Sequence, residues 1–191
     1  PVVVADARVL IAGLALIAWF RFTGFDPQWR RFGRQYIAIG VVNMALPSLF
    51  YSYAALHIPA SLASIVNATA PMFGALFGAA LLGERLNTRK IAGFVSGVAG
   101  VALVARPEGF ADTPMFGWAV AACIAACVCY GYTGVLIRKH AADAPSRGIA
   151  AMSQLAAGVL ILPAVPFALP GVAPSLLVTG NLLALGLLCG A

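Results

Sequence analysis

Charge is scarce in this sequence. Its 191 residues hold six Asp and Glu, twelve Lys and Arg, and two His. Charged residues make up 9% of the chain, against about 25% in ordinary soluble domains. Hydrophobic residues make up 62%, and the mean hydropathy is +0.95. A soluble domain of this length has too little interior to hide that much apolar surface. The composition therefore predicts an all-α, polytopic membrane protein, a helical bundle whose solvent is itself apolar.

Chemistry-bearing motifs are missing too. There is no His-Glu-x-x-His, no Gly-x-Ser-x-Gly and no pair of carboxylates within a span, the features a membrane-embedded enzyme acting on lipid-linked or peptide substrates would need. Cys123, Cys127 and Cys129 crowd one apolar segment and Cys189 lies in another, unaccompanied by His or carboxylate. They read as small apolar filler in packed helices rather than a soft-metal site. No enzymatic activity, cofactor or metal is expected. There is no initiating Met, and the chain stops at Cys189-Gly190-Ala191 inside an apolar run, so a longer parent protein is expected. The first segment lacks a basic flank and a small-residue cleavage site, so no signal peptide is read there.

What the sequence does have is long apolar runs, at roughly 3–20, 35–56, 61–83, 91–105, 116–137, 149–169 and 176–191. Most approach the ~20 residues that cross a bilayer as helix. The breaks between them are unequal in charge. Arg21, Arg30, Arg31, Arg34, Arg85, Arg89, Lys90, Arg138, Lys139 and Arg147 fall on one side, ten of the twelve cations. Arg106 falls on the other, with Arg8 near that boundary. The positive-inside rule makes the ten-charge side cytoplasmic, as in a multi-pass protein of a cell inner membrane. Spans separate these loops, which argues against nucleic acid as a partner despite a pI of about 9.6. Asn67-Ala68-Thr69 matches a glycosylation acceptor, but it lies within a predicted span.

The polar residues inside the runs are patterned. Ala60, Ser64, Asn67, Pro71, Gly74 and Gly78 share one helical face. Pro71 removes its own N–H and strands the carbonyl of Asn67, permitting a bend. Interrupted helices of this kind recur where transporters hold substrate. Asn43, Pro47, Phe50, Tyr51 and Ala54 form a second such side, and Cys123, Tyr130, Thr133 and Gly134 a third. The competing explanation for Ser64 and Asn67 is interhelical glue. Tyr53 and Trp118 read as interfacial aromatics, and His57 as a solvated loop histidine. Gln154 is the strongly polar residue of its span, placed to bond a neighbour. Gly74/Gly78 and Gly93/Gly97, extended by Gly100, predict close helix packing. Glu84 stands at a helix exit beside Arg85 and close to Arg89 and Lys90, as a cytoplasmic gate or a structural charge cluster, with Asn87 or Thr88 capping the next helix. No Asp, Glu, Lys or Arg is expected deep in a complete span.

The stretch "YAALHIPASLASIVNATAPMFGALFGAALLGERLNTRKIAGFVSGVAGVALV", residues 53–104, resembles the EamA domain of the drug/metabolite transporter superfamily. Pro-Ala-Ser at 59–61, the mid-helix Pro71, the Gly83-Glu84-Arg85 exit and the Gly-spaced next helix carry the likeness. "GWAVAACIAACVCYGYTGVLIRKH", residues 117–140, resembles the first helix of a second repeat, with Tyr130 where the family often has Trp. The resemblance implies two inverted five-helix repeats with both ends cytoplasmic. Residues 1–106 would supply helices two to five, 107–114 a periplasmic linker, and 115–191 a truncated second repeat. It implies a secondary transporter for a small metabolite, amino acid or drug, with Asn43, Phe50, Tyr51, Ser64, Asn67, Pro71, Tyr130 and Thr133 about its pocket. The partners implied are a small-molecule substrate and the lipid bilayer, with a homodimer allowed. A purely structural membrane subunit is the bland alternative.

The orientation has a direct check. Single cysteines near Arg30, Arg89 and Lys139 should resist an impermeant thiol reagent in intact cells, and one near Asp112 should react. The reverse pattern would falsify the orientation.

Overall fold

A computed structural model describes residues 2–85, 87–104, 114–163 and 180. The predicted run 176–191 apart from Gly180, the end of 149–169, and the 107–113 part of the predicted linker lie outside them. The described residues form helices α1 (Val2–Thr23), α2 (Trp29–Gly40), α3 (Leu46–Ala54), α4 (Ala60–Asn67), α5 (Ala70–Leu82), α6 (Thr88–Val104), α7 (Pro114–His140) and α8 (Ser146–Ile161), and no strand. Without water, each backbone amide must find its partner within its own segment, which favours helix throughout. Trp29–Ala54, Ala60–Leu82 and Met115–His140 are each long and apolar enough to cross a membrane. The chain divides into two compact units, Pro1–Ser48 with His140–Ala191, and Leu49–Lys139.

The two span-interrupting prolines are absorbed differently. Ahead of Pro47 the helix widens into a π-helical segment, Val41–Ala45, and the Leu46 amide reaches back five residues to the Val41 carbonyl. A π-turn takes up the slack created where Pro47 cannot donate to Asn43. The span stays continuous, so the kink expected at Pro47 is a π-bulge. Pro71 instead splits its span. The helix stops at Asn67, turns through Ala68 and Thr69, and restarts with Pro71 in its first turn, where a missing N–H costs least.

In the first unit α8 packs along α1 and α2. Gly13 lies against the Leu155 backbone and Gly158 against Leu10, so α1 and α8 run antiparallel. A Cβ on Gly40 would lie 2.5 Å from the Ser153 carbonyl oxygen, so that crossing needs glycine. The fully buried Tyr36 donates from its hydroxyl to the Pro27 carbonyl at 2.7 Å, fixing the turn between α1 and α2. That hydroxyl also abuts Gly148, at the start of α8. This end of the unit carries the exposed Arg21, Arg30, Arg31, Arg34 and Arg147. Val9, Ala45, Ala157 and Ile161 form a core toward the other end.

In the second unit Ala54, Ile58, Leu62, Val66, Ala119, Cys123 and Cys127 form the core. The α4–α5 pair runs parallel to α7, as Val66 beside Cys127, Phe73 beside Gly131, and Glu84 beside Arg138 show. The closest backbone approach lies at Gly131. A Cβ there would fall 2.6 Å from the carbonyl carbon of Phe73 and 2.7 Å from the Gly74 nitrogen. The glycine surface expected on α6 is looser: Gly93 and Gly100 face open space, and Gly97 meets the flexible tip of Met72.

This ranks the glycines. Gly131→Ala should lower unfolding stability by about 1–3 kcal/mol through overpacking. Gly97→Ala should lower it less, because a methionine tip can move. Thermal unfolding of the purified full-length variants measures both. Equal losses would show that α5 is no closer to α7 than to α6.

Candidate functional site

The break at residues 67–71 puts polar groups where a continuous helix would have none. Around it the Ala68 amide bonds the Ser64 and Ile65 carbonyls, Thr69 bonds Val66 at 3.0 Å, and Met72 bonds Thr69 at 2.9 Å. The Thr69 hydroxyl also caps the Val66 carbonyl at 2.7 Å. These short-range bonds tighten the turn. Pro71, lacking an N–H, withholds the donor that the Asn67 carbonyl would have received.

Side chains from α3 and α7 meet this turn. The Tyr51 hydroxyl donates to Asn67 Oδ1 at 2.7 Å and lies 3.8 Å from Cys127 Sγ. The Cys127 thiol donates to the Val66 carbonyl at 3.4 Å. Tyr130 stacks on Tyr51, ring centroids 6.4 Å apart and planes 26° from parallel. With Oδ1 taken by Tyr51, the amide of the exposed Asn67 still has its NH2 to donate. Donor, acceptor and two stacked rings thus converge on one helix break, the mixture typical of small-molecule sites. Cys127, expected as filler, ties α7 to the last turn of α4.

The other expected residues are distributed as follows. Ser64 is exposed on the Asn67 face and bonds back to the Ala60 carbonyl at 2.8 Å. Pro71 is exposed and Phe50 half-buried. Thr133 is buried and returns its hydroxyl to the Cys129 carbonyl at 2.9 Å, within its own helix. Asn43 belongs to the π segment of the first unit. Gln154 is buried on α8. The first unit also carries an apolar groove of about 270 Å³ lined by Trp29, Ile37, Leu155, Ala156, Val159 and Leu160. It offers no polar side chain to orient a solute, which suits an acyl chain better.

The two ends of the second unit differ. At one, Tyr53 is exposed, packs on His57 with centroids 4.9 Å apart, and touches Met115, with the exposed Trp118 one turn along α7. At the other, Glu84 pairs with Arg138 of α7. Arg85 and Arg89 are the neighbours of Glu84 in the chain, but its partner comes from 54 residues away. Gly83, at φ 69°, ends α5 in the left-handed region, and the amides of Gly83 and Glu84 both return to the Gly78 carbonyl. That turn folds the Glu84 carboxylate over Gly78, where a Cβ would lie 2.8 Å from Oε2. Asn87 caps α6, its Oδ1 accepting from the Arg89 amide at 3.4 Å.

One acid of the apolar runs is buried. Asp6, within the first apolar run, is 3% exposed, and its Oδ1 has no hydrogen-bond partner. Its signal was available: it shares a helical face with Val9, Leu10 and Gly13, which pack against other helices.

Comparison with known proteins places this geometry. The profile of the EamA-like transporter family matches residues 1–106. The chain belongs to that family. A probable terminal-alkyne amino-acid exporter of Streptantibioticus cattleyicolor is 30% identical over 153 residues, covering 80% of this chain and 50% of that protein. An uncharacterized transporter of Archaeoglobus fulgidus is 26% identical over 108 residues, covering 56% of this chain and 38% of that protein. The EamA chain thus spans half or less of the length of these relatives. A protein of known crystal structure, 26% identical, superposes with a TM-score of 0.74 over 97% of this chain and 64% of its own. The EamA membership and the apolar helices make this a multi-pass membrane protein of all-α fold.

The Glu84–Arg138 pair is exposed on both sides, 38% and 61% by side chain. A double-mutant cycle with Glu84→Gln and Arg138→Gln in the full-length protein should give a coupling of about 0.2–1 kcal/mol by thermal unfolding. A coupling several times larger would mark the pair as a main fastening of the helix end.

Proposed function

We propose that the full-length protein is a secondary transporter of a bacterial inner membrane. It is a permease that moves a small amino acid or similar metabolite by alternating access. The observation that carries this reading is the Tyr51–Asn67 hydrogen bond at a helix broken by Pro71. The Asn67 NH2 would donate to a solute carboxylate, the carbonyl freed by Pro71 would accept from an ammonium, and the Tyr51 and Tyr130 rings would wall the side chain. An amino acid offers those two charges a few ångströms apart. The exporter relative supports that substrate class and suggests outward transport. Drugs of similar size would fit the same combination of rings and amide.

The repeat arrangement belongs to the same proposal: residues 1–106 as the first EamA repeat, 107–114 as a periplasmic linker, and 115–191 as the start of the second. The exposed cations gathered at one end of each unit support a cytoplasmic assignment for those ends, and Tyr53 and Trp118 suit the opposite headgroup region. The Glu84–Arg138 pair then stands at the cytoplasmic exit, with Arg85 and Arg89 exposed nearby in the chain.

The test is uptake and exchange of an amino-acid panel by full-length protein in proteoliposomes, normalised to inserted protein. Asn67→Ala and Tyr51→Ala should weaken apparent affinity by roughly two- to twelvefold, the loss of one rehydratable hydrogen bond worth about 0.5–1.5 kcal/mol. Glu84→Gln should lower expression more than affinity. Unchanged kinetics in the first two, with a selective transport loss in Glu84→Gln, would move the site to the cytoplasmic exit.

A further inference from the structure

Asp6 is placed unlike any other acid among the described residues. Asp26, Glu84 and Asp143 are exposed. Asp6 is 3% exposed, lies one turn into α1, and has a carboxyl oxygen with no hydrogen-bond partner. Its neighbours along the face are Val9, buried with Ala45, Ala157 and Ile161, and Leu10, packed on Gly158. The charged groups on the elements around it all point elsewhere. On α1, Arg8 is exposed two residues on, about 200° around the helix, and Arg21 is exposed some 22 Å along the axis. On α8 the charged residue is Arg147, exposed at the helix start, whereas α1 meets the end of α8 near Asp6. The π segment carries no ionisable group. On α2, Arg30, Arg31 and Arg34 are exposed at the basic end, and the Tyr36 hydroxyl is taken by Pro27.

An ionised carboxylate buried there would have, among the described residues, neither counter-charge nor donor to Oδ1, an arrangement that a buried site does not support. A carboxylic acid carries no charge to desolvate. A lone carboxyl, with no other acid, His or Cys grouped around it among the described residues, also lacks the several ligands that a hard metal cation requires. We propose that Asp6 is a proton-binding site that couples transport to a proton gradient. It takes one proton from the aqueous phase at its end of α1, going from carboxylate to carboxylic acid, and gives the same proton back to water in another conformation. The packing seen here is that of the neutral acid. Losing the proton creates a charge that the α1–α8 interface cannot keep dry, so ionisation favours a state in which α1 admits water or separates from α8. This coupling rests on the transporter reading; the proton site itself does not.

Two measurements on full-length protein separate the two. The first is infrared difference spectroscopy across a pH titration without substrate, comparing wild type, Asp6→Asn and Asp6→Glu. A protonated-carboxyl C=O band that titrates in wild type, is absent in Asp6→Asn and returns shifted in Asp6→Glu is expected. A band unaffected by Asp6→Asn overturns the site, whatever is transported. The second is proteoliposome transport of the amino-acid panel, driven by a pH gradient and, separately, by exchange at equal pH. Asp6→Asn should lose gradient-driven accumulation and keep exchange. Accumulation equal to wild type in Asp6→Asn, or accumulation driven by a sodium gradient alone, overturns the coupling. A titrating Asp6 band with no amino acid moved by wild type upholds the proton site and refutes the amino-acid reading.

Discussion

A peptide group without a hydrogen-bond partner is expensive in hydrocarbon, and the arrangement of this protein follows from how that cost is met. Uninterrupted helix meets it along most of the chain. Two prolines make it a local problem, and the solutions differ with position. Before Pro47 the carbonyl ladder slips to five-residue spacing and the span continues. At Pro71 the helix ends, short-range bonds close the turn, and one carbonyl is left without its helical donor. Polar chemistry collects at the second solution, where the Tyr51 hydroxyl reaches both Asn67 and Cys127.

How much of this was legible depends on the range of the interaction concerned. The apolar runs that become Trp29–Ala54, Ala60–Leu82 and Met115–His140, the interruption at Pro71 and the Gly83-Glu84 exit are local, and they stand in the structure where the residues put them. The choice between kink, π-bulge and break at a proline depends on what packs nearby, so Pro47 and Pro71 looked equivalent in sequence. Tyr51 and Asn67 were legible as separate faces, but not their bond, nor the thiol that joins them to α7. Spacing flagged Gly93, Gly97 and Gly100, yet the tight crossing of the second unit is at Gly131, which belongs to no small-xxx-small repeat with them. Glu84 found its cation on another helix because the turn at Gly83 aims it there. The burial of Asp6 depends on what packs against α1, which one acid in an apolar run does not reveal.

The candidate site and the buried acid answer different needs. At the helix break, hydrogen-bond capacity lies on an exposed residue beside two stacked rings. At Asp6, capacity is turned inward with nothing to satisfy it. A transporter that works against a gradient needs both kinds of place, one that recognises cargo and one whose protonation state is tied to packing.

The contrast between Gly131 and Gly97 has a mechanical consequence. Where backbone lies on backbone, as at Gly131 and Phe73, two helices can shift only by lifting apart, so α5 and α7 behave as a single welded beam. Where a methionine tip covers a glycine, as Met72 covers Gly97, the contact re-forms after a slide because the thioether has several rotamers at similar energy. The seam between α5 and α6 is thus a bearing beside the weld. Motion in this part of the molecule should carry the beam past α6, keeping Phe73 and Gly131 in contact.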